Sequence, residues 1–260
     1  MAQLQTMAGR AVTSPITLIQ GGGMPLKLVP GGNERLPFAV TTAAQAIAAV
    51  DALNNRTGPN FTTFTLRGGA PGQTALNIQS ANAVATGPFA VRVLARIALP
   101  AAATNEGLLV RLFLAEAPGP GVAGATDATS TEAMTLMRVV LENRLATPSG
   151  RWGSDGATSM GDVVRARGQF EGFSGYPALP AGVSSRIENM VAIANDSGDG
   201  RQAAMRAHVE RAIAVASAPR PADPTPTGLY WWRTAGSGAP GTGVTVYKTL
   251  LGNSFYREGQ

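Results

Sequence analysis

The stretch Leu114-Ala115-Glu116-Ala117-Pro118-Gly119-Pro120 places a carboxylate at the end of an apolar run and stops that run with a Pro/Gly break. The run behind it, Thr104 to Ala117, opens on a candidate N-cap and carries leucines and Phe113 in a mainly hydrophobic pattern. That pattern predicts a helix. A carboxylate at a helix C-terminus faces the negative end of the macrodipole, and apolar neighbours deny it water. Both effects disfavour the charged form and raise its pKa. A raised carboxyl pKa is what a general acid needs to protonate a leaving-group oxygen near neutral pH. The same residues also allow a surface helix end with a solvated Glu116.

Outward from this segment, the texture changes near Pro100. Before it, Ile16 to Ile19, Leu26 to Val29, Leu36 to Val40, Phe61 to Leu66, Thr74 to Ile78 and Phe89 to Ala98 read as strands separated by Gly- and Pro-rich turns. Thr42 to Leu53 reads helical, with Ile47, Val50 and Leu53 near helical spacing, although strand stays open for it. After Pro100 the pattern predicts helices at about 104–117, 130–145, 159–165, 182–194 and 200–217, with Ser197 or Asp199 capping the last. Four prolines in Pro219 to Pro226 require an extended loop, and loop 119–131 is rich in Gly, Ala and Thr.

Composition narrows the function. With 260 residues and 44% hydrophobic content, the chain can build a sizeable core. It has no Cys, so disulfides and thiolate metal sites are excluded. The net charge of +5 comes from scattered basic residues without a Lys/Arg block or interleaved aromatics, which argues against nucleic-acid binding. A mild positive balance suits an anionic envelope polymer, and equally suits plain solubility. Met1 to Leu18 lacks the apolar run of a secretory signal, and no segment is long enough for a membrane span.

Two resemblances follow from these segments. Leu26-Lys27-Leu28-Val29-Pro30-Gly31-Gly32, Phe64 to Gly68, Pro71-Gly72-Gln73-Thr74 and Phe89 to Leu94 are similar to the strand order of a bacterial immunoglobulin-like domain, which implies a binding or docking module over 12–100. In the second half, Ala115 to Pro120, Met137 to Leu145, Asp162-Val163-Val164 with Gly168-Gln169-Phe170, and Gly228 to Trp231 with Leu251 to Tyr256 resemble, in order, motifs of the SleB-type cell wall hydrolase family. That resemblance implies a lysozyme-like, mostly helical domain over 101–260 that cleaves peptidoglycan glycan strands, typically as a lytic transglycosylase, with Glu116 as the catalytic acid. The expected fold is therefore α+β in two domains, an immunoglobulin-like β-sandwich and then a mostly α lysozyme-like domain, behind an arm at 1–11. Four departures bear on the cleft. The stretch from Glu116 to Asn143 is longer than the family's, so loop 119–131 reads as an insertion; Pro120 stands where the family has a second Glu, Glu142 is an extra residue within the Leu-Asn-Arg motif, and Ser254 stands where His is frequent.

A lytic transglycosylase needs one carboxyl group, because the sugar's own 6-hydroxyl closes on the anomeric carbon. A two-carboxylate glycosidase would need a partner for Glu116, and Glu132 and Asp162 are the candidates. Glu132 also fits the first turn of the second helix. Gln169 is a candidate for bonding N-acetyl groups or positioning Glu116, with Phe170 beside it; a loop residue that only satisfies backbone is the alternative. Asn143 is a candidate for bonding the active-site loop or for a structural cap. Tyr230, Trp231 and Trp232 sit together, one Trp expected in the core, with Tyr230 or Trp232 stacking on sugar. His208, the only histidine, lacks the partners of a hydrolase triad or a zinc site and is read as a surface or half-buried helix residue. No metal or cofactor is expected. The implied partners are peptidoglycan glycan strands and, through residues 12–100, phage virion or secretion-apparatus proteins. Without a signal segment, the enzyme would reach the periplasm or cell wall on a virion, through a secretion machine or through a holin. The rival expectation is a non-catalytic structural or adhesion protein of a phage particle.

Overall fold

The computed structural model describes residues 1–55 and 61–259. The chain divides into two compact units, residues 1–97 with 195–202, and residues 98–194 with 203–260.

The first unit is two four-stranded sheets. One has the order β1-β3-β6-β5, from Gln3–Thr6 (β1), Gly23–Val29 (β3), Ala48–Asn54 (β5) and Thr62–Gly68 (β6). The other has the order β2-β8-β7-β4, from Ile16–Ile19 (β2), Phe38–Thr42 (β4), Gly72–Ser80 (β7) and Ala85–Leu94 (β8). Period-two burial explains the layering. Phe38, Val40 and Thr42 are buried in β4 while Ala39 and Thr41 face outward, and Thr62, Phe64, Leu66 and Gly68 are buried in β6. Leu4, Leu18, Leu26, Leu28, Phe64, Leu76 and Val91 join one core drawn from both sheets. The opening residues are thus part of the sandwich rather than an arm: Leu4 pairs with Leu28 and is buried.

The helical reading of Thr42 to Leu53 is corrected. Ala48 to Asp51 pair with Thr65 to Gly68 as β5, and Asp51 is bonded to Arg67 across the strands at 2.6 Å. Alanine's helix propensity is a weak local preference that strand pairing over a buried face overrides. Ser197 does not cap a helix, since its hydroxyl accepts from the Ile19 N–H at 2.7 Å. The Asp199 carboxylate accepts from the Arg201 N–H, and Arg201 directly precedes the helix that starts at Gln202.

The second unit holds Asn105–Glu116 (α1), Asp127–Ala146 (α2), Met160–Arg165 (α3), Ala181–Ala194 (α4) and Gln202–Ser217 (α5). An antiparallel sheet of order β10-β11-β9 follows, from Leu229–Thr234 (β9), Val244–Leu250 (β10) and Asn253–Glu258 (β11). α1 is the central element. Every residue from Leu108 to Leu114 except Arg111 is buried, as expected for a helix apolar on nearly all sides and packed against α2, α3 and α4. The mostly α lysozyme-like expectation is overturned. The described residues carry eleven strands in three sheets against five helices, and 28% of them are helical. In the second unit the reason lies in the closing sheet. Trp231 to Arg233 and Ser254 to Tyr256 form a ladder rather than a short closing segment, and Val244 to Leu250 add a third strand to it. No helix among the described residues is long and apolar enough to cross a membrane.

α2 begins earlier than its sequence pattern suggests. Thr126 is the N-cap and forms a reciprocal capping box with Thr129, so Glu132 lies beyond the first turn. Three α2 side chains then fix later chain segments. Arg138 donates to the Val215 and Ala218 carbonyls at the end of α5, at 2.6 and 2.7 Å. Asn143 and Arg144 donate to the Leu229 and Tyr230 carbonyls of β9, at 3.0 and 2.6 Å.

His208 is not at the surface. It is 1% exposed within α5, and its Nε2 has no hydrogen-bond partner. Burial, aided by the nearby Arg211 charge, pulls its pKa from 6.5 down to about 4. A base with a depressed folded pKa costs nothing above its unfolded value. Between pH 6.5 and about 4 the unfolded chain takes up the proton and the folded chain does not, so stability falls across that window. The loss reaches roughly 2–3 kcal/mol by pH 4. Thermal melts at pH 7 and pH 4.5 are expected to differ much less for His208→Leu than for the parent. An equal acid-induced drop in both would place the sensitivity elsewhere.

Candidate active site

Glu116 occupies the last turn of α1. Thr104 caps the other end, accepting from the Gly107 N–H at 3.0 Å, and Pro118 forces Ala117 into an extended conformation that stops the helix. Arg186 from α4 donates to the Ala115 carbonyl at 2.7 Å and satisfies one of the open helix-end acceptors. The Glu116 carboxyl is half-buried and sits above its ordinary pKa. Burial is the main cause; the Arg186 charge opposes it, and the Glu171 carboxylate adds to it. Desolvation thus dominates, while Arg186 blunts the helix-end field that the sequence alone suggests.

Glu116 lines a cleft of about 510 Å³. Gln169, Phe170 and Glu171 form one wall, and Trp232 and Arg233 of β9 another, with Arg144, Trp152 and Asn253 completing it. The Phe170 and Trp232 rings lie 5.0 Å apart at 34°, an apolar pair at the edge of a polar cleft. Arg144 ties the parts together. It is 3% exposed, donates to Gln169 Oε1 at 2.7 Å and to the Tyr230 carbonyl, and lies 5.7 Å from the Phe170 ring centre. Burial lowers its pKa to about 10, so it stays charged at neutral pH.

The structure brings together some of the sequence-predicted residues and disperses others. Glu116, Gln169, Phe170 and Trp232 meet in the cleft. Tyr230 does not line it, and instead stacks on Trp152 at 4.1 Å and 4°. Trp231 is the core tryptophan of the pair, buried against Trp152 and Tyr256. Asn143 does not line the cleft: it bonds Asp223 and the Leu229 carbonyl, and Asp223 also accepts from the Leu229 N–H, which clips the Pro-rich loop to α2. Neither predicted second carboxylate lines the cleft. Glu132 is paired with Lys248. Asp162 accepts from Ser159, Thr158 and Arg165, and those bonds, led by Ser159, hold its carboxyl far below the usual carboxylate range. The carboxylate beside Glu116 is Glu171, one residue past Gly168-Gln169-Phe170. Its place at the end of that loop motif was the available signal. Arg144 likewise follows Asn143 directly, but nothing local marks it as buried.

Gly153 makes the Gln169 position possible. Its φ of +71° favours glycine, and a Cβ there would overlap the Gln169 side-chain amide. Gly153→Ala is therefore expected to cost about 1–2 kcal/mol of stability. It should also displace the Gln169 side chain from its place in the cleft. Urea unfolding checks the first, and the NMR signal of the Gln169 side-chain amide checks the second; an unchanged signal would show that Gly153 does not set the position of Gln169.

No family model matches this chain, and no curated protein matches it. Among solved structures, the chain is similar to domains 4 and 5 of the S-layer protein SbsC, at 23% identity over 36% of this chain and 54% of that one, with a TM-score of 0.27. It is also similar to domains 5–6 of the same protein, at 23% identity over 38% of this chain and 48% of that one, with a TM-score of 0.28. The chain thus spans about half the length of these structures.

Proposed function

We propose that this protein cleaves the glycan strands of peptidoglycan, with Glu116 as its single general acid and base. The observation that carries the reading is a half-buried carboxyl of raised pKa in a cleft that also presents an amide, Gln169, and an aromatic pair, Phe170 and Trp232. Sugar sites pair apolar ring faces with a few oriented polar groups, and acid catalysis at a glycosidic oxygen needs a carboxyl that keeps its proton near neutrality. The ordered motif resemblance to SleB-type cell wall hydrolases supports the same substrate class, with Glu116 in the position of that family's acid.

In this scheme the Glu116 carboxyl gives its proton to the oxygen between two sugars. The anomeric carbon–oxygen bond breaks and leaves an oxocarbenium-like centre. The 6-hydroxyl oxygen of the same sugar bonds that carbon, and its proton returns to Glu116. Gln169, held by Arg144, is assigned the bond to the substrate's N-acetyl group, a role that its position in the cleft lining supports. With no other carboxylate required, the structural duties of Glu132 and Asp162 are no obstacle. Glu171 gives a specific reason to keep hydrolysis as the second outcome, since it places a carboxylate in the same cleft that could direct water instead. The site of action would be the bacterial periplasm or cell wall, reached on a virion or through a secretion machine, with the first unit as docking module.

The test is mass spectrometry of fragments released from purified sacculi. Anhydro-muramyl ends are expected, reducing ends would assign hydrolysis, and release of no glycan fragment would overturn the proposal.

A further inference from the structure

The loop Gly168–Glu171 separates two cavities. One is the Glu116 cleft, and the other, of about 390 Å³, is lined by Arg165, Arg167, Phe170, Glu171 and Ser174, with Gly168, Phe170 and Glu171 shared between them. Five arginines line the two. Three are engaged: Arg144 with Gln169 and the Tyr230 carbonyl, Arg151 with Glu258 at 2.6 Å, and Arg165 with Asp162 at 3.0 Å. Arg167 and Arg233 are exposed, and neither side chain forms a hydrogen bond or ion pair among the described residues. Glu171 reaches both cavities and pairs with neither. Each cavity therefore has one unengaged arginine in its lining, Arg233 in the Glu116 cleft and Arg167 in its neighbour.

We propose that Arg167 and Arg233 bind free carboxylates spaced along the glycan, so that the preferred substrate is a peptide-stripped strand whose muramoyl lactyl groups are ionised. This deepens the reading of the cleft as a glycan site and rests on it. On a peptide-bearing strand the lactyl carboxyl is an amide and carries no charge there. Removal of the stem peptide exposes a planar anion that a guanidinium meets through two parallel N–H donors. That group recurs once per disaccharide, and each of the two cavities has one exposed arginine in its lining. The reaction class that must supply this substrate is hydrolysis of the lactyl–peptide amide.

The experiment measures binding rather than turnover. Glu116→Gln protein is titrated calorimetrically with a muramoyl-containing octasaccharide in the free-acid form, with the same octasaccharide as its neutral methylamide, and with a peptide-bearing strand. The free acid should bind more tightly than the methylamide by roughly five- to twentyfold at low salt, as expected for two partly exposed ion pairs. That preference should shrink with added salt and vanish in the Arg167→Gln/Arg233→Gln pair, while Arg167→Lys/Arg233→Lys keeps part of it. Circular dichroism melts confirm that the variants fold. Equal affinity for free acid and methylamide, tighter binding of the peptide-bearing strand, or a preference that survives the double Gln change overturns this inference and leaves the glycan site standing. No binding of any glycan overturns both. Selective, arginine-dependent binding without cleavage by the parent protein would uphold the inference and overturn the catalytic reading alone.

Discussion

Glu116→Gln is expected to lower the rate of glycan release from sacculi by roughly 10²–10⁴-fold, the usual contribution of a positioned general acid. The same change is expected to raise the melting temperature at pH 7. The two effects share a cause. The folded chain holds the Glu116 carboxyl above its ordinary value of 4.5, so the neutral form is the one the fold favours. The associated stability is fully present below about pH 4.5 and is lost as pH rises through the folded value. Glutamine keeps the shape of the neutral acid without its proton, which removes the cost of the buried charge along with the chemistry. The gain in melting temperature should therefore disappear at pH 4. Glu171→Gln is the companion measurement. Removing that neighbouring negative charge lowers the Glu116 pKa, so the alkaline limb of the rate profile moves to lower pH. Equal clearing of sacculi by Glu116→Gln and the parent would remove Glu116 from the mechanism.

The parts legible in the sequence were those governed by local rules. Pro118 after Glu116 marks the end of α1, and its apolar run marks a buried helix. The turns Gly21-Gly22-Gly23 and Pro71-Gly72 bracket strands with period-two burial. What stayed hidden depends on distant partners. Ala48 to Leu53 lacks a strong strand signal and becomes β5 because β6 offers it an edge. Glu132 and Asp162 have the residue type of a second acid, yet Lys248 and the Ser159 cap engage them. Asn143 and Arg144 are adjacent on one helix, but one clips a proline-rich loop and the other enters the cleft. The overall balance of strand over helix was also out of reach. The sheet of β9, β10 and β11 is closed by pairings such as Phe255 with Trp232 and Thr249 with Ser254, which no local pattern reveals.

Arg144→Ala is expected to destabilise the second unit by about 3–5 kcal/mol, because it opens a cavity and leaves the Tyr230 carbonyl and the Gln169 amide oxygen without their donor. Arg144→Met separates structure from function. No carboxylate pairs with Arg144 among the described residues, and burial alone lowers its pKa to about 10, so its charge carries an uncompensated desolvation cost. Methionine fills much of the volume, removes that cost and loses the two hydrogen bonds. These terms oppose each other, and the net change in stability should stay within about 2 kcal/mol. The proposed glycan cleavage has no such offset. Without the guanidinium, Gln169 loses the bond that orients it, Phe170 loses the cation over its ring, and β9 loses one of its two side-chain ties to α2. A cleft loosened by even an ångström is expected to lose roughly 10²-fold in kcat/KM. Urea unfolding of both variants beside their rates on sacculi tests the separation: a methionine variant that is as stable and as active as the parent would show that Arg144 orients nothing the reaction uses.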